Sequence, residues 1–387
     1  MNLQEMDQAY IASTYRRFPL HLVRGKGSLL EDDAGHELID LGTGIAVNSM
    51  GIADDLWCQA VIDQLTTLQH TSNLYYTDPC VRLAQMLCER TGMKKVFFSN
   101  SGAEANECAI KAARKWAAET HDPDCYTIAT LNQSFHGRTL TTLAATGQSH
   151  YHELFQPLTP GFVSFDAQDL GQLEALAHQS SLAAVMIECI QGEGGVIALA
   201  PDTVRNLAAF CKARNILLIV DEVQTGNGRT GKLYSYMHFG IQPDLVTTAK
   251  GLGGGLPLGA TLLGEKVQNV FTYGDHGSTF GGNPVCCAGA VSVLSRIDDT
   301  LLNEVEQKGL WIREKLLATE GVEEVTGLGL MIGIRTRRNA ADVVNEAMQR
   351  GVLCLTAKDR VRLLPALNIP MSVLQKAIDI LCEVIAS

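Results

Sequence analysis

From Lys94 onward the chain alternates short, nearly continuous apolar runs with longer helical patterns, and this alternation limits the available folds more than any other feature. Val96–Phe98, Tyr126–Thr130, Ala183–Glu188, Ile216–Val220, Leu245–Thr248 and Leu258–Leu263 read as strands. Their apolar residues run on without the every-second-residue alternation of a half-exposed strand, so both faces are expected to be buried. Ala103–Glu119 and Asp202–Arg214 read as helices between them. The class this implies is α/β, with a parallel or mixed sheet covered by helices.

The two ends read differently. Residues 1–45 look like an irregular arm with one hairpin, Leu29–Asp32 and Glu37–Leu41 joined at Asp33–Gly35. Beyond Asn283 come two long helices, Val285–Arg296 and Leu301–Leu317. A glycine-punctuated strand region, Val325–Ile334, and two further elements, Ala341–Arg350 and Met371–Ala386, complete a smaller α+β unit. With 387 residues, 46% of them hydrophobic, the chain is long enough for two domains.

A net charge of −11 disfavours nucleic acid and anionic membrane as partners. It does not exclude an anionic substrate, because a few arginines in a cleft outweigh the average field. The opening MNLQEMDQAY lacks the basic start and apolar core of a secretory signal, and no apolar run approaches the length of a membrane span. The eleven cysteines have irregular spacings and no C-x-x-C, which predicts free thiols in a reducing compartment, the cytoplasm, and no metal site.

Lys250 ends the apolar strand Leu245–Thr248 and precedes Gly251–Gly255, four of whose five residues are glycine. Ligands of α/β sheets bind at such carboxyl ends. A lysine in an apolar setting has its pKa depressed and can attack an aldehyde, although most lysines are simply solvated charges. Asp221 ends the most apolar run in the chain. A carboxylate there needs a partner, either a structural cation or a protonated pyridine nitrogen. Ser101-Gly102-Ala103-Glu104 opens a helix. Ser101 and Glu104 suit a capping box, and Gly102 suits a phosphate approaching the free N–H groups of the helix terminus. In Phe135-His136-Gly137-Arg138, Phe135 is either core or a ring stacked on a planar ligand. Arg138 is either a solvated residue or a carboxylate clamp. Glu193, in a glycine-rich turn, and Arg362, with apolar neighbours, are each turn or edge residues or, together, an ion pair in a cleft.

In sum these segments resemble the class-III pyridoxal-phosphate aminotransferases, in particular their acetylornithine branch. The matching runs are SNSGAEANE (99–107), SFHGRT (134–139), IQGEGG (190–195), LLIVDEVQTGNGRTG (217–231), TTAKGLGGGLPLGA (247–260), HGSTFGGNP (276–284) and VRLLPAL (361–367). The resemblance implies the aspartate-aminotransferase fold, fold type I. Its parts would be an N-terminal arm (1–45) belonging to the small domain, a large cofactor domain (46–280) and a C-terminal small domain (281–387). It implies pyridoxal 5′-phosphate joined to Lys250 as a Schiff base, with Asp221 at the pyridine nitrogen, Gln224 near the ring hydroxyl, and Gly102 and Ala103, beside Ser101, at the phosphate. Phe135 would stack on the ring, with Val223 also in contact. Arg138 would clamp a carboxylate, with Tyr15, Glu193, Ser278 and Arg362 near substrate.

Thr279 matches a threonine that reaches the phosphate of the neighbouring subunit, so a homodimer with composite active sites is expected. The implied substrates are N-acetylornithine and 2-oxoglutarate or glutamate, in arginine biosynthesis. Ornithine, succinyl-diaminopimelate and ω-amino acids are the alternative donors. The chain departs from the family pattern at Gly51-Ile52-Ala53-Asp54-Asp55, where Gly-His-x-His-Pro is usual, and at Cys189, where proline is common.

Overall fold

The computed structural model describes residues 1–178 and 181–387. A seven-stranded sheet runs in the order Lys95–Ser99, Gly259–Leu263, Leu245–Thr248, Leu217–Asp221, Leu182–Ile187, Thr127–Leu131, Phe162–Phe165. Only Gly259–Leu263 is antiparallel to its neighbours. The five strands between the two edges are buried at every position, as their continuous apolar runs require. Helix Gly102–Thr120 lies against the sheet through Ala105, Ala109, Ala112, Ala113 and Ala117, whose small side chains let helix and sheet approach closely.

The chain ends build two further sheets. Leu22–Lys26, Leu29–Asp32 and Glu37–Asp40 form an antiparallel meander, and Val352–Leu353 adds in parallel beside Glu37–Asp40, with Ile39 opposite Val352. Val322–Leu328, Met331–Thr336, Arg360–Leu363 and Leu355–Ala357 form an antiparallel sheet in which Arg362 faces Gly333 and Leu355.

The arm is more regular than its sequence suggests. Asn2 and Glu5 make a reciprocal capping box on helix Leu3–Tyr10, and Leu22–Lys26 is an additional strand. That helix buries none of its residues, although Leu3, Met6 and Tyr10 at helical spacing give it an apolar face in the sequence. Two helices, Asp55–Thr67 and Asp78–Thr91, fill the stretch before Lys94, where no element was expected. The divergent loop is accounted for by the first of these. Asp54 accepts from Trp57 N at 2.9 Å as its cap and pairs with Arg296 at 2.8 Å. Cys189 is a buried core residue. No helix is long and apolar enough to cross a membrane, no acid, histidine and cysteine cluster suited to a metal occurs among the described residues, and the eleven cysteines are free thiols.

Candidate active site

At the carboxyl ends of Leu217–Asp221 and Leu245–Thr248 the chain turns away from the sheet on either side of a cavity of about 560 Å³, within the ordinary range for small-molecule sites. Lys250 enters it from a short 3-10 turn, Lys250–Leu252, with its own φ at +44°, a strained value for a residue with a side chain. The turn is held by donors from elsewhere. Asn227 Nδ2 reaches Ala249 O at 3.2 Å, Ser49 Oγ reaches Gly251 O at 3.1 Å, and Trp57 Nε1 reaches Gly253 O at 3.1 Å. Loss of hydration lowers the Lys250 pKa to about 8, opposed by the Glu193 carboxylate and reinforced by Arg362.

Asp221 also lines the cavity, and its protein partners were not anticipated. Oδ2 accepts from His136 Nδ1 and Asn106 Nδ2, each at 2.8 Å, and Oδ1 accepts from Val223 N at 2.9 Å. Burial works against protonation of His136, but the hydrogen bond and charge of Asp221 carry its pKa above the ordinary value. Oδ1 therefore keeps acceptor capacity toward the cavity.

Ser101 caps helix Gly102–Thr120, its Oγ accepting from Glu104 N at 3.2 Å. Glu104 does not reach back to Ser101 N as a capping box would. Its carboxylate instead takes Asn100 N at 2.7 Å and Asn100 Nδ2 at 3.0 Å, because the strand end presents those donors first. Among the described residues the N–H groups of Gly102 and Ala103 have no protein acceptor. Gly102 is needed for a further reason: a Cβ there would lie 2.6 Å from Val223 Cγ1.

Phe135 and Arg138 line the outer part of the cavity. Glu193 Oε1 accepts from Arg362 Nη1 at 2.6 Å and from Gln224 Nε2 at 3.1 Å, while Arg362 Nη1 also reaches Gln224 Oε1 at 3.2 Å. The Gln224 amide is thus engaged with this ion pair. Burial acts to raise the Glu193 pKa, and the charge and hydrogen bond of Arg362 overcome it, leaving the pKa below the ordinary value. Glu188 accepts from Phe135 N at 3.0 Å and Gly192 N at 3.3 Å, tying the loop that carries Phe135 to the turn that carries Glu193. Burial raises its pKa.

Four expected residues do not line this cavity: Arg362 is tied to it only through Glu193, and Tyr15, Ser278 and Thr279 also stand outside its lining. Tyr15 is exposed on the arm and lines a separate depression formed by residues of that arm. Ser278 accepts from Asn100 Nδ2 at 3.2 Å and Gly281 N at 2.9 Å at the cavity's margin, and Thr279 is exposed. Conversely, His136, Asn106 and Glu188 were missed. Each lies inside or beside a motif, but only its contact with a distant segment marks it.

Pyridoxal phosphate fits these residues. Two unpaired N–H groups at a helix terminus suit its phosphate, the free face of Asp221 Oδ1 suits a protonated ring nitrogen, and a lysine amine of lowered pKa suits its aldehyde. The fold and the site are those of a fold-type-I pyridoxal-phosphate enzyme. The sequence pattern described as aminotransferase class-III matches residues 10–385, and the chain belongs to that family. It is 47% identical to an acetylornithine aminotransferase of Haemophilus ducreyi, covering 99% of this chain and 98% of the relative. Its fold matches an N-acetylornithine aminotransferase of Stenotrophomonas maltophilia with a TM-score of 0.86 and 34% identity, over 99% and 98% of the two chains. It also matches an ornithine aminotransferase of Toxoplasma gondii, described with partial occupancy of PLP at the active site, with a TM-score of 0.93 and 31% identity over 99% and 93% of the chains.

Proposed function

We propose that this aminotransferase moves the δ-amino group of N-acetylornithine to 2-oxoglutarate, or the reverse, as a step of arginine biosynthesis in the cytoplasm. One observation carries the reading. The cavity holds a lysine amine of lowered pKa and Arg138, which has no acid partner among the described residues, and its lining residue Glu193 holds a second arginine, Arg362. An amino donor with one carboxylate and an acceptor with two need that combination of fixed and conditional cations.

Pyridoxal phosphate, when bound, supplies an aldehyde for the amino group and a ring that withdraws electrons from the substrate carbon. Gly102 and Ala103, with Ser101, would hold its phosphate, Asp221 its ring nitrogen, and Phe135 and Val223 its two faces. Gln224 would lie toward the ring hydroxyl. Arg138 binds the carboxylate distal to the reacting carbon, the α-carboxylate of the donor and the γ-carboxylate of 2-oxoglutarate, and thereby orients the substrate. Lys250 Nζ takes the proton from the donor's δ-carbon and returns one during the reverse half of the cycle. Glu193 keeps Arg362 neutralised while the donor is present and releases it to the α-carboxylate of 2-oxoglutarate, which adjoins the reacting carbon.

We also propose a homodimer with composite sites. Thr279 is exposed outside its own chain's cavity, and Leu74, Tyr75, Tyr76 and Phe280 form an exposed apolar surface around the same edge. The arm, residues 1–45, belongs with the small C-terminal unit through the pairing of Ile39 and Val352, and residues 46–280 form the cofactor domain.

The test is a donor panel of N-acetylornithine, ornithine, succinyl-diaminopimelate and 4-aminobutyrate with 2-oxoglutarate, assayed for glutamate. N-acetylornithine should give the highest kcat/KM. Higher efficiency with any other donor overturns the assignment.

A further inference from the structure

An arginine that must receive a substrate carboxylate has to be held in place without an acid, because a resident carboxylate would compete with the substrate. Arg362 does not meet this condition, since Glu193 occupies it. Arg138 does. Among the described residues it makes no hydrogen bond and no ion pair, and its guanidinium carbon lies 4.6 Å from the centre of the Tyr151 ring and 5.7 Å from that of Phe135. The two rings meet edge to face, with centres 5.7 Å apart and planes at 67°. They form a bracket that attracts the cation through its faces and leaves the N–H donors free.

Tyr151 is built into this position. It ends the 3-10 turn Ser149–Tyr151, with its N donating to Gln148 O at 3.2 Å. Gln148 Nε2 donates to Ser134 O at 3.1 Å, Gly147 N to Ser134 Oγ at 3.0 Å, and Gln133 N to Gly147 O at 2.7 Å. The turn carrying Tyr151 is therefore laced to the residues just before Phe135 and moves with the loop that carries Arg138. The Tyr151 ring also contacts the His150 ring, 4.0 Å away between centres.

We propose that Tyr151 is a positioning residue for substrate recognition: its ring face holds the Arg138 guanidinium at the cavity mouth, ready for the carboxylate common to donor and acceptor. This rests on the reading of Arg138 as the carboxylate clamp. The ring is the operative part, and the hydroxyl is dispensable. Loss of the ring lets Arg138 swing into solvent, which weakens binding of carboxylate-bearing ligands and leaves the chemistry at Lys250 intact.

The test compares Tyr151→Ala and Tyr151→Phe in the holoenzyme, using two donors that differ only in the carboxylate, N-acetylornithine and N-acetylputrescine. Binding of N-acetylnorvaline, which keeps the carboxylate and lacks the reacting amine, is measured in parallel by calorimetry. Tyr151→Ala should reduce the preference for N-acetylornithine over N-acetylputrescine by about 10-fold, mainly through KM, and weaken N-acetylnorvaline by a similar factor. Tyr151→Phe should stay within about 2-fold of wild type in both. The inference is overturned if Tyr151→Ala keeps the preference, if it impairs both donors equally, or if Tyr151→Phe behaves like Tyr151→Ala. A wild-type enzyme with no preference for the carboxylate-bearing donor would instead remove the clamp role of Arg138, whatever Tyr151 does.

Discussion

Glu193 Oε1 sits 2.6 Å from Arg362 Nη1, although 169 residues separate them in the chain, and Gln224 bonds to both. The pair places a removable counter-charge on one of the two cations that a dicarboxylate needs. Its consequence is a division between the half-reactions. Glu193→Ala should leave Arg362 permanently available, favouring glutamate over N-acetylornithine as donor by about 10-fold or more. Single-turnover rates for the two half-reactions measure this, and equal changes in both would remove the switch.

The lowered pKa of Lys250 has a pH signature. Its amine gains neutral, nucleophilic form as pH rises through about 8, far below the ordinary lysine value of 10.5. The rate at which cofactor-free protein captures pyridoxal phosphate should rise with pH around that midpoint, followed by absorbance. Because the Glu193 carboxylate raises the Lys250 pKa, Glu193→Ala should move the midpoint downward. Borohydride reduction and peptide mapping should find the label on Lys250, and Lys250→Ala should abolish transamination. A midpoint near that of a free lysine contradicts the buried amine.

Asp221→Asn should slow transamination by about three orders of magnitude, since an amide cannot keep a ring nitrogen protonated. The replacement also places an amide N–H against one of the donors His136, Asn106 or Val223 N, so a stability loss of about 1–3 kcal/mol is expected as well. Thermal unfolding separates this loss from the change in kcat. Near wild-type turnover in a folded variant would make Asp221 purely structural.

Sedimentation should show at least a dimer at assay concentrations. Thr279→Ala should then raise the dissociation constant of the cofactor without disturbing its own chain's cavity, which Thr279 does not line. A fully active monomer would exclude the composite site.

Gly44, three residues before the cavity-lining Val47, is expected to set the room at the donor's far end. The resemblance implies tyrosine at the position of Gly44 in the ornithine-specific branch, and here an added Cβ would lie in ordinary contact with Asn48 and Val47, 3.7 and 3.8 Å away. N-acetylornithine should be preferred to ornithine by about two orders of magnitude in kcat/KM, and Gly44→Tyr should narrow that gap. Gly44 has φ of +62° within a left-handed turn in which Thr43, Ile45 and Ala46 also have positive φ. The tyrosine should therefore also cost about 1 kcal/mol of stability or more, visible as a lower melting temperature. Equal use of ornithine by the wild-type enzyme would refute the selectivity.

The sequence alone determined six of the seven strands of the central sheet and the placing of its two strand-end groups, because these are local signals, while the half-exposed edge strand Phe162–Phe165 escaped it. Continuous apolar runs such as Leu217–Val220 are strands buried on both faces, and a lysine or acid at the end of such a run must face a ligand or a partner. The glycine-rich run after Lys250 and the Ser101 cap were legible for the same reason. Tertiary structure decided everything that depends on a meeting of distant segments. The fold leaves the apolar face of helix Leu3–Tyr10 exposed, and the arm joins its sheet through a strand more than three hundred residues away. The partners of Asp221 come from helix Gly102–Thr120 and from the loop at His136, and the aromatic bracket of Arg138 depends on a turn laced to that same loop. No local pattern encodes such contacts, since the type of a polar side chain fixes what it can bond to while only the packed chain brings the bonding partner within reach.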